Sequence, residues 1–388
     1  MKVFDRLDNS LELPEHERMV FESVRRLSEE VIKPRAARYD ETGEFPWDNV
    51  RDINAAGLNT MFIPAAYGGT ELSYRAYLAC CREITKACAS TGIIWATNFH
   101  AVSPLVDFAN DEQKARWLPP IAKGGLVALA LTEPSGGSDA TGMKTRFDED
   151  GDSIIINGSK VFITNGDVCD ILVVFGKWSQ LGDGKDAISI AVIEKGTPGF
   201  DVVRTENKMG TRASSTAALS FTDCRIPRAN LLGRPGGGLS MMFDFLNKSR
   251  PSVAAHALGI ARAAFEDAVA YINERDVFKR KIIDHQGVQF MIADHATDLA
   301  MCECWLWHIA RRVERGDKDL GPEASMLKMR ASDLAMQIST DAVQLLGGYG
   351  YIKDYRVERL MRDAKITQIW EGTNQIQRQI IGRSFKMR

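Results

Sequence analysis

The sequence predicts an α+β chain in three consecutive parts: a helical N-terminal domain over residues 1–125, a middle antiparallel β-domain over 126–235 and a C-terminal four-helix bundle over 236–388. Three observations carry this. Apolar residues recur three and four apart in the first third. Near Leu126 that spacing gives way to short runs, mostly β-branched, punctuated by turns, without the intervening helical patterns that βαβ units would need. After Gly236-Gly237-Gly238 the helical spacing returns, and few residues break it before Gly347-Gly348-Tyr349-Gly350.

In the first part Val20, Val24, Leu27 and Val31 step by four, three and four, with Glu and Arg on the other faces, so one side of this helix is buried. Pro34, the Thr42-Gly43 turn and the Ala66-Tyr67-Gly68-Gly69 loop are expected to break the segment, and helical spacing resumes over 73–92. Asp111-Glu112-Gln113 begins another helix, which Pro119-Pro120 is expected to stop. In the middle part the runs 127–132, 153–156, 160–164, 171–175, 188–193 and 217–221 read as strands. Asn157-Gly158 between two of them signals a hairpin, since a type I′ turn needs positive φ at both central residues. In the last part the glycine triplet reads as a loop or hinge. The apolar stripes over 258–265 and 324–335 would pack as an antiparallel bundle.

A chain of 388 residues, 45% hydrophobic and 26% charged, is an ordinary globular protein with room for more than one core. Lys and Arg (49) nearly balance Asp and Glu (51), so no overall field favours nucleic acid or an anionic membrane, and an anionic ligand must be held by local basic groups. No apolar run is long enough to span a bilayer or to serve as a secretory signal, so an intracellular protein without membrane insertion is expected. Seven cysteines, an odd number with no C-x-x-C pair, argue for reduced and mostly buried thiols. The six histidines include no H-E-x-x-H, and no metal site is expected.

The chemistry is expected at Gln368-Ile-Trp-Glu-Gly-Thr-Asn-Gln-Ile-Gln-Arg378. Val357, Leu360, Met361 and Ala364 make a helical stripe before it, and Ile376, Ile380 and Ile381 resume one after it. Gly372 breaks the two, and Thr373 or Asn374 can cap the second helix, which puts Glu371 on a short turn. A carboxylate there, against Trp370, would be partly desolvated and its pKa raised toward the range of a general base. Three further segments stand out. Leu131-Thr-Glu-Pro-Ser-Gly-Gly-Ser-Asp139 follows a strand with small residues and hydroxyls; Phe162-Ile-Thr-Asn-Gly166 ends one with an aromatic and a turn. Arg275-Asp-Val-Phe278, with Gln286 and the distant Asp341-Ala-Val-Gln-Leu-Leu-Gly-Gly348, offers a guanidinium for phosphate oxygens.

Taken in order with Trp370-Glu371-Gly372-Thr373, these segments make the chain closely resemble the acyl-CoA dehydrogenase family over essentially its whole length. The resemblance implies bound FAD, an acyl-CoA substrate, an electron-transfer flavoprotein as electron acceptor and a homotetramer built as a dimer of dimers. It implies that Leu129, Leu131, Thr132, Ser138, Phe162 and Thr164 face the flavin ring and ribityl chain. Arg275, Phe278 and Gln286, with Gln344 and Gly348 from a neighbouring subunit, would hold pyrophosphate and adenosine, and Thr373 and Gln375 would complete that site. Ser138, Asn247 and Arg250 fall where the family contacts CoA. Trp95 and Asn98 lie on the helix that lines the acyl pocket, a stretch (91–102) without Arg or Lys, and Trp370 and Gly372 flank the base. The expected location is a bacterial cytoplasm, with a mature mitochondrial matrix protein as the other reading.

The sequence departs from the family pattern at Leu129, where some members carry an aromatic, at Phe162, where many carry tryptophan, and at Lys279, where Gly usually follows Phe278. Part of the family carries its base at a position matching Ser249, which cannot take an α-proton, so Glu371 must act alone. The implied reaction is α,β-dehydrogenation, Glu371 taking the α-proton while flavin N5 accepts the β-hydride. Related activities on the same scaffold are an oxidase, an enoyl-CoA reductase and a desulfinase or decarboxylase. A non-catalytic nucleic-acid-binding relative is opposed by the balanced charge and the intact Glu371.

Overall fold

The computed structural model describes residues 2–9 and 11–387. Seven helices precede the sheet: α1 (Lys2–Asn9), α2 (Glu15–Leu27), α3 (Lys33–Thr42), α4 (Trp47–Ala55), α5 (Tyr74–Ala87), α6 (Ala89–Phe108) and α7 (Asp111–Ala122). The expected break at Pro34 does not occur. A π-helical turn, Ser28–Ile32, joins α2 to α3 and brings the proline to the start of α3, where its missing N–H is tolerated. The buried side of this helical run is Phe21, Val24, Ile32 and Ala36. Pro119 and Pro120 likewise lie inside the last turn of α7, and the chain leaves the helix only after Ala122.

The middle of the chain forms a sheet in the order β6-β7-β3-β2-β4-β5-β8, with β1 also beside β4: β1 (Val127–Ala130), β2 (Arg146–Asp150), β3 (Ser153–Thr164), β4 (Ile171–Trp178), β5 (Ile188–Glu194), β6 (Phe200–Thr205), β7 (Thr216–Pro227) and β8 (Leu231–Leu232). Most pairings are antiparallel, but β1 and β2 run parallel to β4, so the sheet is mixed. The β2–β3 hairpin and the turn after it supply the crossover that a parallel pairing requires.

Asn157-Gly158 is not a hairpin turn. Strand β3 runs straight through it with a bulge against β7, and the Asn157 carboxamide binds Asp223 on that strand through both its oxygen (2.8 Å) and its nitrogen (3.1 Å). Glycine is needed at 158 because a Cβ there would fall 2.6 Å from Thr145 Oγ1. The hairpin turn lies earlier, at Gly151-Asp152, where Gly151 takes the positive φ.

Helices α8 (Gly238–Glu274), α9 (Gln286–Glu314) and α10 (Gly321–Leu346) are long, and α11 (Val357–Thr367) and α12 (Asn374–Ser384) are short. A two-strand hairpin, β9 (Asp276–Val277) and β10 (Arg280–Lys281), links α8 to α9. Helices α8 to α11 share one apolar core with α2, α5 and α6. Within it Arg82 and Arg262 share Asp8, and Glu303 pairs with Arg262. Every one of these charges is buried and paired, which offsets its desolvation. Among the described residues no helix is long and apolar enough to cross a membrane.

Candidate active site

Glu371 sits on the turn between α11 and α12 with φ 52°, followed by Gly372 at φ 90°. A non-glycine residue in the left-handed region costs about 1–2 kcal/mol, so the surroundings must hold it there. Gln377 Nε2 donates to the carbonyls of Glu371 (3.1 Å) and Gly372 (2.8 Å), and Lys328 Nζ on α10 donates to the Gly372 carbonyl (2.8 Å) and to Asn374 Oδ1 (3.0 Å). Thr373 caps α12, its hydroxyl accepting from the Ile376 N–H at 3.3 Å. Asn374 turns inward instead and donates to Ser332 Oγ and Asp333 Oδ1 on α10.

The Glu371 carboxylate accepts a hydrogen bond from Ser249 Oγ on α8 at 2.8 Å. Burial raises its pKa; the Ser249 hydrogen bond and the charges of Arg250 and Lys328 oppose that rise without cancelling it. Arg250 and Lys328 are the charges beside it, and the remaining walls are aromatic. Trp370 meets the His256 ring edge-on at 5.3 Å, and Tyr77 stacks on Phe99 at 3.9 Å and lies 5.3 Å from Trp95. Burial pushes the imidazoles of His100 and His256 down to about 3, so both are neutral at physiological pH.

The segments expected to face a flavin come together at the mouth of the sheet. The buried Lys160 donates to the Leu131 carbonyl (2.9 Å) and to Glu133 Oε1 (2.8 Å), while Glu133 accepts from the N–H groups of Lys144 and Thr145. This pair pins the loop carrying Leu131, Thr132 and the exposed Ser138. The Val161 N–H donates to the Thr132 carbonyl (3.0 Å), which sets Thr132 beside Phe162. Phe162 has φ 59° and is 65% exposed, an aromatic lifted off the strand by the bulge rather than packed in the core. Leu129 and Thr164 are half-buried nearby on β1 and β3.

Arg275 and Gly348 form a second group. They line a cavity of about 550 Å³ with Tyr271, Tyr349 and Ile282, and the Arg275 guanidinium lies 5.7 Å from the Tyr349 ring centroid. Phe278, Gln286 and Gln344 are exposed, as is Gln375 on α12. Arg275 follows the end of α8, whereas Ser249, which touches Glu371, lies 26 residues earlier; at a rise of 1.5 Å per residue the two are about 39 Å apart. One chain therefore does not bring the two groups together.

Phe278 and Lys279 form the β9–β10 turn with φ 51° and 63°, the mirror-image turn that glycine suits. Lys279→Gly is expected to stabilise the protein by about 0.5–1 kcal/mol, the relief of left-handed strain less glycine's added chain entropy. A rise in the thermal midpoint checks this, and a fall contradicts it.

Of the residues expected to touch substrate, Asn98 accepts the Val127 N–H at 2.9 Å, so its oxygen serves the sheet, and Asn247 donates to the Lys318 carbonyl at 3.2 Å. Arg250 is buried beside Glu371, and its Nε and the Trp370 Nε1 find no partner among the described residues. Sequence reasoning missed Lys328, Gln377 and the Lys160–Glu133 pair. Lys328 and Lys160 are polar side chains beside apolar runs, a signal that marks burial but not the partner, and Gln377 and Glu133 carry no such signal.

Fold and site together define a three-domain enzyme with a desolvated carboxylate held on a turn against helices α8 and α10. The chain belongs to the acyl-CoA dehydrogenase family and is an oxidoreductase: the N-terminal, middle and C-terminal domain models of that family match residues 14–125, 128–224 and 236–386. It is 41% identical to the cyclohex-1-ene-1-carbonyl-CoA dehydrogenase of Geobacter metallireducens, over 96% of this chain and 98% of the relative. It is 39% identical to the short-chain specific acyl-CoA dehydrogenase of Clostridium acetobutylicum, over 96% and 99%. Among solved structures it is similar to a chain in one described as the electron transferring flavoprotein of Acidaminococcus fermentans, with TM-score 0.94, 40% identity and coverage of 97% and 99%.

Proposed function

We propose that Glu371 is the base that removes the α-proton of an acyl-CoA thioester in FAD-dependent α,β-dehydrogenation to the 2-enoyl-CoA. The observation that carries the assignment is the desolvated carboxylate, raised in pKa and aimed by Ser249. The Glu371 N–H has no acceptor among the described residues and is free to donate to the thioester oxygen, where charge develops as the proton leaves. Aromatic walls exclude water from the same space.

The residues present fit FAD. Phe162, Leu129 and Thr132 offer an apolar face with a hydroxyl; Arg275 offers a cation for pyrophosphate beside Tyr271 and Tyr349, in a cavity where a Cβ on Gly348 would meet nothing within 4 Å. Ser138, Thr164, Phe278, Gln286, Gln344, Thr373 and Gln375 complete the proposed cofactor set. When bound, FAD supplies the acceptor for the β-hydrogen. The distance between the two groups favours a site shared by two subunits, which supports a homotetramer built from such dimers. An electron-transfer flavoprotein as acceptor rests on the likeness to the Acidaminococcus chain, and a cytoplasmic location on bacterial relatives. In this reading residues 1–125 and 236–388 build the acyl pocket and 126–235 the flavin face.

The proposed acyl group is compact and uncharged. Trp95, Tyr77 and Phe99 fill the space beside Glu371, no cation stands on that stretch of α6, and the relatives' names point to short and ring-containing esters. Across a panel of straight, branched and cyclic acyl-CoA esters, kcat/KM is expected to peak between about four and eight carbons, the size that such walls admit by burial of apolar surface. A preference for glutaryl-CoA or palmitoyl-CoA contradicts this.

A further inference from the structure

Lys328 is fully buried on α10 and makes no ion pair among the described residues. That is unusual, because a buried ammonium is costly unless a carboxylate or a full set of acceptors receives it. Its Nζ is held instead by two neutral oxygens, the Gly372 carbonyl at 2.8 Å and Asn374 Oδ1 at 3.0 Å, both within three residues of Glu371. Asn374 is in turn fixed by Ser332 and Asp333, one turn further along the same helix. The charges that bear on Lys328 are Glu371 from the turn, Arg250 from α8 and Asp333 from α10 itself. Of these Glu371 acts most strongly in its favour.

We propose that Lys328 is a positioning residue for the reaction, strapping the Glu371 turn to α10 through Gly372 and Asn374 and holding the Glu371 carboxylate ionised by its charge. The inference rests on the reading of Glu371 as the base. Three features converge on it. The turn carries two successive positive φ values that need external support, and Lys328 and Gln377 both supply it at the Gly372 carbonyl. The ammonium reaches the turn by direct hydrogen bonds to the Gly372 carbonyl and Asn374 Oδ1, whereas Arg250 acts on Glu371 through its charge alone. Burial brings the Lys328 pKa down to about 7, so below that pH it carries the charge that favours an ionised Glu371.

The sign follows. A protonated Lys328 favours ionised Glu371, so removing its charge raises the Glu371 pKa and moves the acid limb of kcat/KM to higher pH. Lys328→Gln keeps a donor without the charge, and Lys328→Met removes both. In FAD-loaded enzyme both are expected to move the acid limb upward by about one to two pH units, the size of one unit charge acting over several ångström at an effective dielectric near 20. The methionine variant should also lose about tenfold or more in kcat as the turn loosens. Lys328→Arg should restore the limb. A second readout is the protonation of Glu371 itself, followed as the carboxyl band in infrared difference spectra that Glu371→Gln removes; its midpoint should move with the limb. An acid limb and carboxyl midpoint unmoved in the glutamine variant, with Glu371→Gln inactive, overturn the lysine's role and leave the base in place. An active Glu371→Gln overturns the base assignment instead. If the methionine variant fails to fold, the glutamine variant decides alone.

Discussion

Glu371→Gln is expected to lower the rate of substrate-dependent flavin reduction by at least about three orders of magnitude, the scale that loss of a general base typically costs, while the protein stays folded and yellow. Glutamine keeps the shape of the side chain and can still meet the Ser249 hydroxyl, so the turn and its supports at Gln377 and Lys328 remain. What disappears is the basic carboxylate that takes the proton, since an amide oxygen is not basic at neutral pH. Ser249 cannot replace it, because a hydroxyl without an adjacent base is not basic at neutral pH. The wild-type pH profile carries the same logic. The acid form of Glu371 is inactive, and burial sets its pKa above the ordinary glutamate value, so kcat/KM should fall as pH drops through that raised pKa.

A mixture of two impaired variants, assayed without added FAD, is expected to recover activity. Arg275→Ala should loosen FAD, since it removes the cation of the cavity lined by Gly348 and Tyr349. In the proposed shared site, with Arg275 about 39 Å from Ser249 along α8, Glu371 of one subunit would work with Arg275 of another. A dimer of one Glu371→Gln chain and one Arg275→Ala chain then holds one site in which both residues are intact. Random reassembly of equal amounts under closed two-fold symmetry should restore about a quarter of wild-type sites. No recovery after verified mixing means that each chain builds its site alone.

The fold was largely legible because its signals are local. Helical stripes and β-branched runs mark elements by their own periodicity, and the change near Leu126 and the return after Gly238 needed no tertiary knowledge. The misreadings share one cause. Pro34, Pro119 and Asn157-Gly158 are strong local punctuators, and each is overridden by its surroundings: a π turn, a helix end and a bulge whose carboxamide is bound on β7. Strands β2 and β6 went unread because their charged residues hide the period of two.

In the site, Glu371 was legible through Gly372 and Trp370, which are its neighbours in sequence. Its working partners were not. Ser249, Lys328 and Gln377 lie 122, 43 and 6 residues away, and only packing brings the first two to the carboxylate and its turn. Asn98 shows the reverse, a residue whose place on the pocket helix suggested a ligand contact and whose oxygen instead receives the first N–H of β1.

Exchange of the substrate α-hydrogen with solvent deuterium tests the central claim most directly, because it reads proton removal apart from electron transfer. Enzyme whose flavin has already been reduced is incubated without oxygen with saturated acyl-CoA in D₂O, and deuterium at the α-carbon is followed by NMR. Wild-type protein should exchange this hydrogen, and Glu371→Gln should slow the exchange by the same three orders of magnitude or more expected of the rate. Exchange at the wild-type rate in Glu371→Gln contradicts the account, since another group would then be taking the proton.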